Sequence, residues 1–248
     1  MKRGTILLLS IGICYNKKDF EYDVYSLVRA FYPQSQVTMY YVDEEHTGEY
    51  PLLFLVTYQE NAMEVKIVEE GKKVLENKIE IEYEKDRKET KNALKKLLYG
   101  SLQTLTGKSL PWGNLTGIRP TKIPMKLLEE GWSNVEIAKY MRETYSVSKE
   151  KTALAIAIAN REKKLLEELD YKKGYSLYVG IPFCPSICLY CSFGSHPLDR
   201  WIKKVNDYLD ALCKELTFIG EIMKDKKLNT IYIGGGTPTT LEPDQLYR

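Results

Sequence analysis

A mixed α/β fold in successive parts is what this sequence predicts, and three observations predict it. Strand-like segments with period-two apolar spacing crowd the N-terminal third. Helical patterns with Lys- and Glu-rich faces fill the middle. The remainder reads strand, loop, long helix, strand, the order of a βαβ unit with parallel strands. At 248 residues, 44% hydrophobic and 28% charged, the chain is long enough for one large domain or two ordinary ones, which excludes a disordered or fibrous protein.

The first strand is expected over Thr5 to Ile13. Met1, Lys2 and Arg3 ahead of the apolar run from Ile6 also outline a short signal peptide. However, Cys14 and the charged Lys17, Lys18 and Asp19 follow with no small-x-small site, and Ile13 stands where a lipoprotein signal needs a small residue, so a buried strand explains the run better. Phe20, Val24, Leu27, Val28 and Phe31 recur at helical spacing until Pro33 stops them. Strands follow at Val37 to Val42, Leu52 to Gln59, Glu64 to Val68 and Ile79 to Tyr83, with a turn at Glu70 and Gly71. A helix from Thr90 to about Thr106 carries the stripe Leu94, Leu97, Leu98, Leu102 and Leu105, which can cover one face of the sheet. Residues 1–108 thus read as an α+β domain.

Ser109 to Pro120 holds two Gly and two Pro in twelve residues, a loop composition that marks a boundary or a special surface. Ser133 and Glu136 make a capping box for a helix through Tyr145, and Ser148 can cap a longer helix whose apolar run, Ala153 to Ala159, is expected to be buried on most sides. Val135 to Asn160 also has the outline of a helix-turn-helix, but Ala153 to Ala159 offers no polar side chain for a base edge. Thirty-six Lys and Arg against 34 Asp and Glu leave a formal charge of +2, too balanced to advertise a phosphate backbone, so no nucleic-acid partner is expected. Residues 109–172 read as a loop and helical connector. No stretch approaches the 18 or so apolar residues of a membrane span, and a cytoplasmic location is expected.

In residues 173–248 a strand from Tyr175 to Ile181 runs into a cysteine loop, then a long amphipathic helix from about Asp199 to Lys224, then a strand from Thr230 to Ile233 that ends in glycines. In parallel α/β folds chemistry gathers at the carboxyl ends of strands, where both motifs lie. Glu242, Pro243 and Asp244 look set to open another helix. About 75 residues of α/β unit cannot close a barrel that typically takes about 250, so a C-terminally truncated chain is expected.

Five cysteines are an odd number, and Cys184, Cys188 and Cys191 fall within eight residues while Cys14 and Cys213 stand alone, which is no disulfide framework and suggests a metal and a reducing compartment. Three thiolates on one tight loop can face a common inorganic centre. A cubane iron-sulfur cluster held by three cysteines leaves one iron open for a substrate or cofactor. The competing reading is structural zinc, with His196 as fourth ligand, although zinc ligands usually come as two separated pairs. Gly234 to Gly236 alone would be weak evidence, since no Lys-Ser/Thr follows as a P-loop requires and no GxGxxG is present.

The stretch Tyr178-Val-Gly-Ile-Pro-Phe-Cys184-Pro-Ser-Ile-Cys188-Leu-Tyr-Cys191-Ser-Phe193 resembles the CxxxCxxC cluster loop of radical S-adenosylmethionine (SAM) enzymes. The flanking IPFC and LYCSF, and Gly234-Gly-Gly-Thr-Pro-Thr239 after the second strand, are similar to the branch that contains oxygen-independent coproporphyrinogen III oxidase. Pro111-Trp-Gly-Asn-Leu-Thr-Gly-Ile-Arg-Pro120 and the long preceding region look most like the HemZ-type coproporphyrinogen dehydrogenases. The resemblance implies the first part of a radical SAM (β/α) partial barrel after residue 173. It implies that Cys184, Cys188 and Cys191 bind a [4Fe-4S] cluster whose fourth iron is chelated by SAM. It also places Tyr190 near the adenine, Gly235, Gly236 and Thr237 at the methionine end of SAM, and Tyr178 against substrate. The implied reaction is oxidative decarboxylation of coproporphyrinogen III propionates to protoporphyrinogen IX through a 5'-deoxyadenosyl radical. A flavodoxin or ferredoxin would be the electron donor.

Gly180 stands where the oxidase proper has His before IPFC, and Phe193 where it has a further cysteine. Phe193 is closer to the heme-chaperone relatives, which keep the cluster loop and hand over heme, so that alternative stays open.

Overall fold

The computed structural model of the chain describes residues 9–44, 48–82, 86–169 and 173–248. They form two compact units, Met1–Glu162 and Lys163–Arg248.

In the first unit β1 (Ser10–Tyr15), β2 (Gln36–Tyr41), β3 (Leu52–Gln59), β4 (Ala62–Glu69) and β5 (Lys72–Glu80) make one sheet in the order β2-β1-β3-β4-β5. β1 pairs in parallel with β2 and β3, and β3 to β5 continue as an antiparallel meander. Alternation along β3 buries Leu52, Phe54, Val56 and Tyr58. They pack with Val24, Leu27 and Val28 of α1 (Glu21–Phe31) and Leu94, Leu98 and Leu102 of α2 (Arg87–Thr106) in one core. Asp86 starts α2 by accepting from the Lys88 and Glu89 amides.

The expected strand over Leu52 to Gln59 is observed with those bounds. The expected first strand begins outside the described residues and runs on to Tyr15. The fifth starts at Lys72, seven residues earlier than expected, because its polar half pairs with β4 beyond a register shift at Ile67/Val68. Tyr83 lies outside the described residues.

Three helices complete this unit: α3 (Lys122–Glu129), α4 (Asn134–Tyr145) and α5 (Lys149–Glu167), whose last turn belongs to the second unit. The Ser133/Glu136 capping box is formed, and Ser148 Oγ accepts from the Lys151 amide. Sequence reasoning missed α3, whose Pro124 sits in the first turn, where proline removes no helical hydrogen bond. Burial of α5 corrects the sequence expectation. Only Thr152, Ala155 and Ala159 are buried, while Ala153, Leu154 and Ala157 are exposed. A single stripe of the helix meets the core of Leu127, Ile137, Met141 and Tyr145.

In the second unit β6 (Tyr175–Ile181) pairs in parallel with β9 (Leu228–Gly235). Between them lie β7 (Phe183–Cys184), β8 (His196–Pro197), α6 (Leu198–Trp201) and α7 (Val205–Ile222), and α8 (Pro243–Tyr247) follows. A 3-10 turn at Ile202–Lys204 divides the single long helix expected from sequence. Leu177, Val179 and Ile181 on one face of β6 pack against Val205, Leu209, Leu212 and Leu216 of α7. The opposite face of the strand pair carries Ser176, Tyr178 and Gly180 beside Thr230, Tyr232 and Gly234.

Candidate cofactor site at the ends of β6 and β9

The backbone closes the cysteine loop at its base. β7 and β8 pair Phe183 with His196 and Cys184 with Pro197, and the His196 amide donates to Pro182 O at 3.0 Å. The eleven residues between them form a compact surface loop with its ends held together. Within it the Cys191 amide donates to Cys188 O at 3.0 Å, a turn that keeps those two cysteines on one stretch.

The glycine segment after β9 is sewn to this base. Gly236 N donates to Ile181 O at 2.6 Å and Thr237 N to Phe183 O at 2.8 Å. Gly235 has φ +100, and a Cβ there would lie 2.8 Å from the Ile181 backbone N and O. A Cβ on Gly236 would lie 2.7 Å from Cys184 Sγ. Two chain segments therefore meet at Cys184 because a side chain is missing from one of them.

All three loop cysteines are free thiols: Cys184 is buried at the base, Cys191 half-buried and Cys188 exposed. Among the described residues no three His, Cys, Asp or Glu side chains converge as a metal-binding group. The loop thus brings the cysteines onto one short segment without aiming their sulfurs at one point. Three free thiols on one short loop are nonetheless the donor set of a cluster held by three thiolates. Tyr190 is exposed, and its phenol pKa is raised by a hydrogen bond and charge interaction with Cys188. His196 packs its ring against Trp201 at 4.6 Å, which gives it a structural role at the loop base.

Tyr178 is exposed on the face away from α7 and stacks on Tyr232, ring centroids 5.6 Å apart and planes 27° from parallel. Sequence reasoning missed Tyr232. The signal was present, because Tyr178-Val-Gly180 and Tyr232-Ile-Gly234 repeat the same Tyr-x-Gly pattern on two parallel strands in register. Both rings lie over Gly234, whose absent Cβ would stand 2.6 Å from the Tyr232 ring and 3.0 Å from Tyr178 Oη. On the carbonyl side, Tyr208 of α7 donates its hydroxyl to Gly180 O. The elements therefore gather Tyr178, Cys184, Gly235, Gly236 and Thr237 at one end of the strand pair, while Tyr190 stays out on the loop tip.

Comparison with known proteins gives the same direction. The chain is 37% identical over 162 residues to the oxygen-independent coproporphyrinogen-III oxidase-like protein HemZ of Bacillus subtilis, a match covering 64% of this chain and 32% of that protein. It is 45% identical over 73 residues to the heme chaperone HemW of the same organism, covering 29% of this chain and 18% of the relative. A match of 38% over 73 residues to the oxygen-independent coproporphyrinogen III oxidase of Salmonella typhimurium covers 29% and 16%. The chain thus spans about a third or less of the length of these relatives. No family model matches, and no solved structure does. Over the stretches these matches cover, the chain is similar to oxygen-independent coproporphyrinogen III oxidases, an oxidase-like protein and heme chaperones, the relatives its cysteine loop resembles.

Proposed function

We propose that the chain carries the cofactor end of a radical SAM oxidoreductase that oxidatively decarboxylates the propionates of coproporphyrinogen III. The observation that carries this reading is the junction of the cysteine loop with the glycine segment at the ends of two parallel strands. Cys184, Cys188 and Cys191 would hold a [4Fe-4S] cluster. When bound, cluster and SAM together supply one-electron, hydrogen-abstracting chemistry.

The chain's own part is positional. The Gly236 and Thr237 amides are committed to Ile181 O and Phe183 O. What this segment can offer the amino end of SAM is carbonyl oxygen and the Thr237 hydroxyl, which are acceptors for an ammonium donor. Tyr190 would reach the adenine from the loop tip, and Tyr178, backed by Tyr232, would present a flat apolar surface to a tetrapyrrole. In this reading the strand pair is the start of a partial barrel. Residues 1–108, 109–172 and 173–248 are an α+β domain, a connector and the radical SAM core. The reaction takes place in the cytoplasm, with a flavodoxin or ferredoxin as electron donor. Among the described residues no helix is long and apolar enough to cross a membrane.

The test is anaerobic reconstitution with iron and sulfide, followed by electron paramagnetic resonance of the reduced sample with and without SAM. A cluster signal that shifts on SAM addition is expected. Zinc without labile sulfide in a folded sample would overturn the reading. A second reading, transfer of heme, is favoured by Phe193, exposed on the loop where the oxidase has cysteine. Heme titration set against product analysis with coproporphyrinogen III separates the two.

A further inference from the structure

The motif Pro111 to Pro120 belongs to the first unit and is closely packed there. Gly113 has φ +57, and a Cβ there would lie 2.0 Å from Tyr145 O, so only glycine lets the loop press against the end of α4. The next residue, Asn114, is 1% exposed. Its amide donates to Tyr145 O at 2.9 Å and its Nδ2 to Thr144 O at 3.3 Å, while Oδ1 has no hydrogen-bond partner among the described residues. A buried acceptor left unpaired costs stability and marks a place where a donor is wanted.

Asn114 lines a cavity of about 550 Å³ that lies wholly within the first unit. One wall is α2, which turns Lys88, Lys91 and Lys95 to it at spacings of three and four residues, one face of a helix. Facing them from α1 is a single carboxylate, Asp23. Lys95 is 8% exposed, and its Nζ reaches Thr116 Oγ1 at 3.0 Å but Asp23 Oδ1 only at 3.4 Å, long for a charge-assisted bond. Burial pushes the Lys95 pKa down, Asp23 pulls it up and neighbouring Lys91 lowers it further. The remaining lining is mixed: Leu115, Ile118 and Ile123 are apolar, Asn92 and Thr116 are polar, and the Tyr22 and Tyr145 rings border the cavity, with Ile118 and Tyr22 at its open side.

We propose that this cavity binds a small phosphomonoester with an aromatic body, of mononucleotide type, its phosphate on Lys88, Lys91 and Lys95 and a donor group on Asn114. Three ammonium groups against one carboxylate leave an excess of two positive charges, which a phosphomonoester of about −1.5 to −2 balances. The volume falls in the range of small-ligand pockets, and the lining combines ammonium, amide and hydroxyl groups with apolar and aromatic side chains. Inorganic phosphate alone would leave the apolar walls and Asn114 unused.

The test is calorimetric titration of the full chain with adenosine 5'-monophosphate, adenosine and inorganic phosphate at moderate salt. The monophosphate is expected to bind at least about tenfold more tightly than either of the others, the worth of one or two charge-assisted hydrogen bonds. A Lys88→Gln/Lys91→Gln double variant should lose about tenfold or more in that affinity with an unchanged circular dichroism spectrum, whereas Lys139→Gln, which does not line the cavity, should lose nothing. Should the double variant fold poorly, Lys88→Gln alone, on an exposed side chain, reads the same effect at about severalfold. The proposal is overturned if the monophosphate binds no tighter than adenosine, if inorganic phosphate binds as tightly as the monophosphate, or if removing the lysines leaves affinity unchanged.

Discussion

β3 and β9 are both eight-residue strands rich in Leu, Ile, Val and aromatic side chains, and they end up in opposite surroundings. β3 has a strand on each side and helices over one face, and its Phe54 and Val56 are buried. Among the described residues β9 pairs with β6 alone, and Ile231 and Ile233 are 57% and 49% exposed. Burial is thus conferred by what covers a strand, not by its apolar content. The well-covered sheet supplies stability in the first unit. In the second unit, the groups suited to chemistry lie at the ends of the strand pair.

The strongest way to break this division of labour is to remove the cysteines one at a time. Cys184→Ala, Cys188→Ala and Cys191→Ala should each lower the iron and acid-labile sulfide retained after anaerobic reconstitution by about fivefold or more. Cys14→Ala, on buried β1, and Cys213→Ala, on α7, should retain them. Equal loss from all five variants would mean that cluster retention reports general folding and not this loop.

The two strands can then be set against each other. Phe54→Ala should destabilise the protein by about 3–5 kcal/mol, the usual cost of emptying an aromatic site in a packed core. Ile231→Ala should change stability by about 0.5 kcal/mol or less, because its side chain is already half in water. Denaturant unfolding of both variants measures the contrast. A cost at Ile231 as large as that at Phe54 would show that β9 is covered in solution.

A glycine substitution sharpens the comparison within the second unit. Gly235→Ala should cost about 1–3 kcal/mol, since φ +100 and a 2.8 Å approach to the Ile181 backbone leave no room for Cβ. It should also abolish the effect of SAM on the reduced cluster spectrum while leaving iron content near normal. Unchanged SAM response would detach the glycine segment from cofactor binding.

How much of this was legible beforehand follows from where the determinants lie. Leu52 to Gln59 and Tyr175 to Ile181 were readable with their bounds, because strong local apolar patterns end at clear turn residues. Cys184, Cys188 and Cys191 stand out in the sequence by their spacing, and the glycine run by its resemblance to the same family. The Lys88, Lys91 and Lys95 face was not, since three lysines on a helix read as a solvated surface until Asn114 and Thr116 are folded opposite them. Tyr232 needed the register of β9 on β6, a long-range fact. The one-sided burial of α5 was misread because an apolar run states what can be buried and not what will cover it.

Acid gives the smallest expected effect, at the helix caps of the first unit. Asp86 caps α2 by accepting two amide bonds, and those bonds hold its carboxyl below the usual carboxylate range. Glu136 is likewise held low by the Ser133 hydroxyl and amide at the start of α4. A carboxyl whose folded pKa is depressed stabilises the fold above its unfolded value, about 4, and loses that contribution as pH falls through the folded value. Both caps lie in the first unit; in the second, Lys204 at the start of α7 makes no side-chain cap bond, while Glu242 and Gln245 form a capping box at α8. The melting temperature of Asp86→Ala should therefore lie below wild type at pH 7, with the gap narrowing as pH drops below about 4 and closing toward pH 2. Thermal unfolding followed by circular dichroism at several pH values reads the effect. A gap that stays constant to pH 2 would mean that Asp86 acts through packing or backbone geometry, and that the charge on the α2 cap has no part in the stability of the sheet it covers.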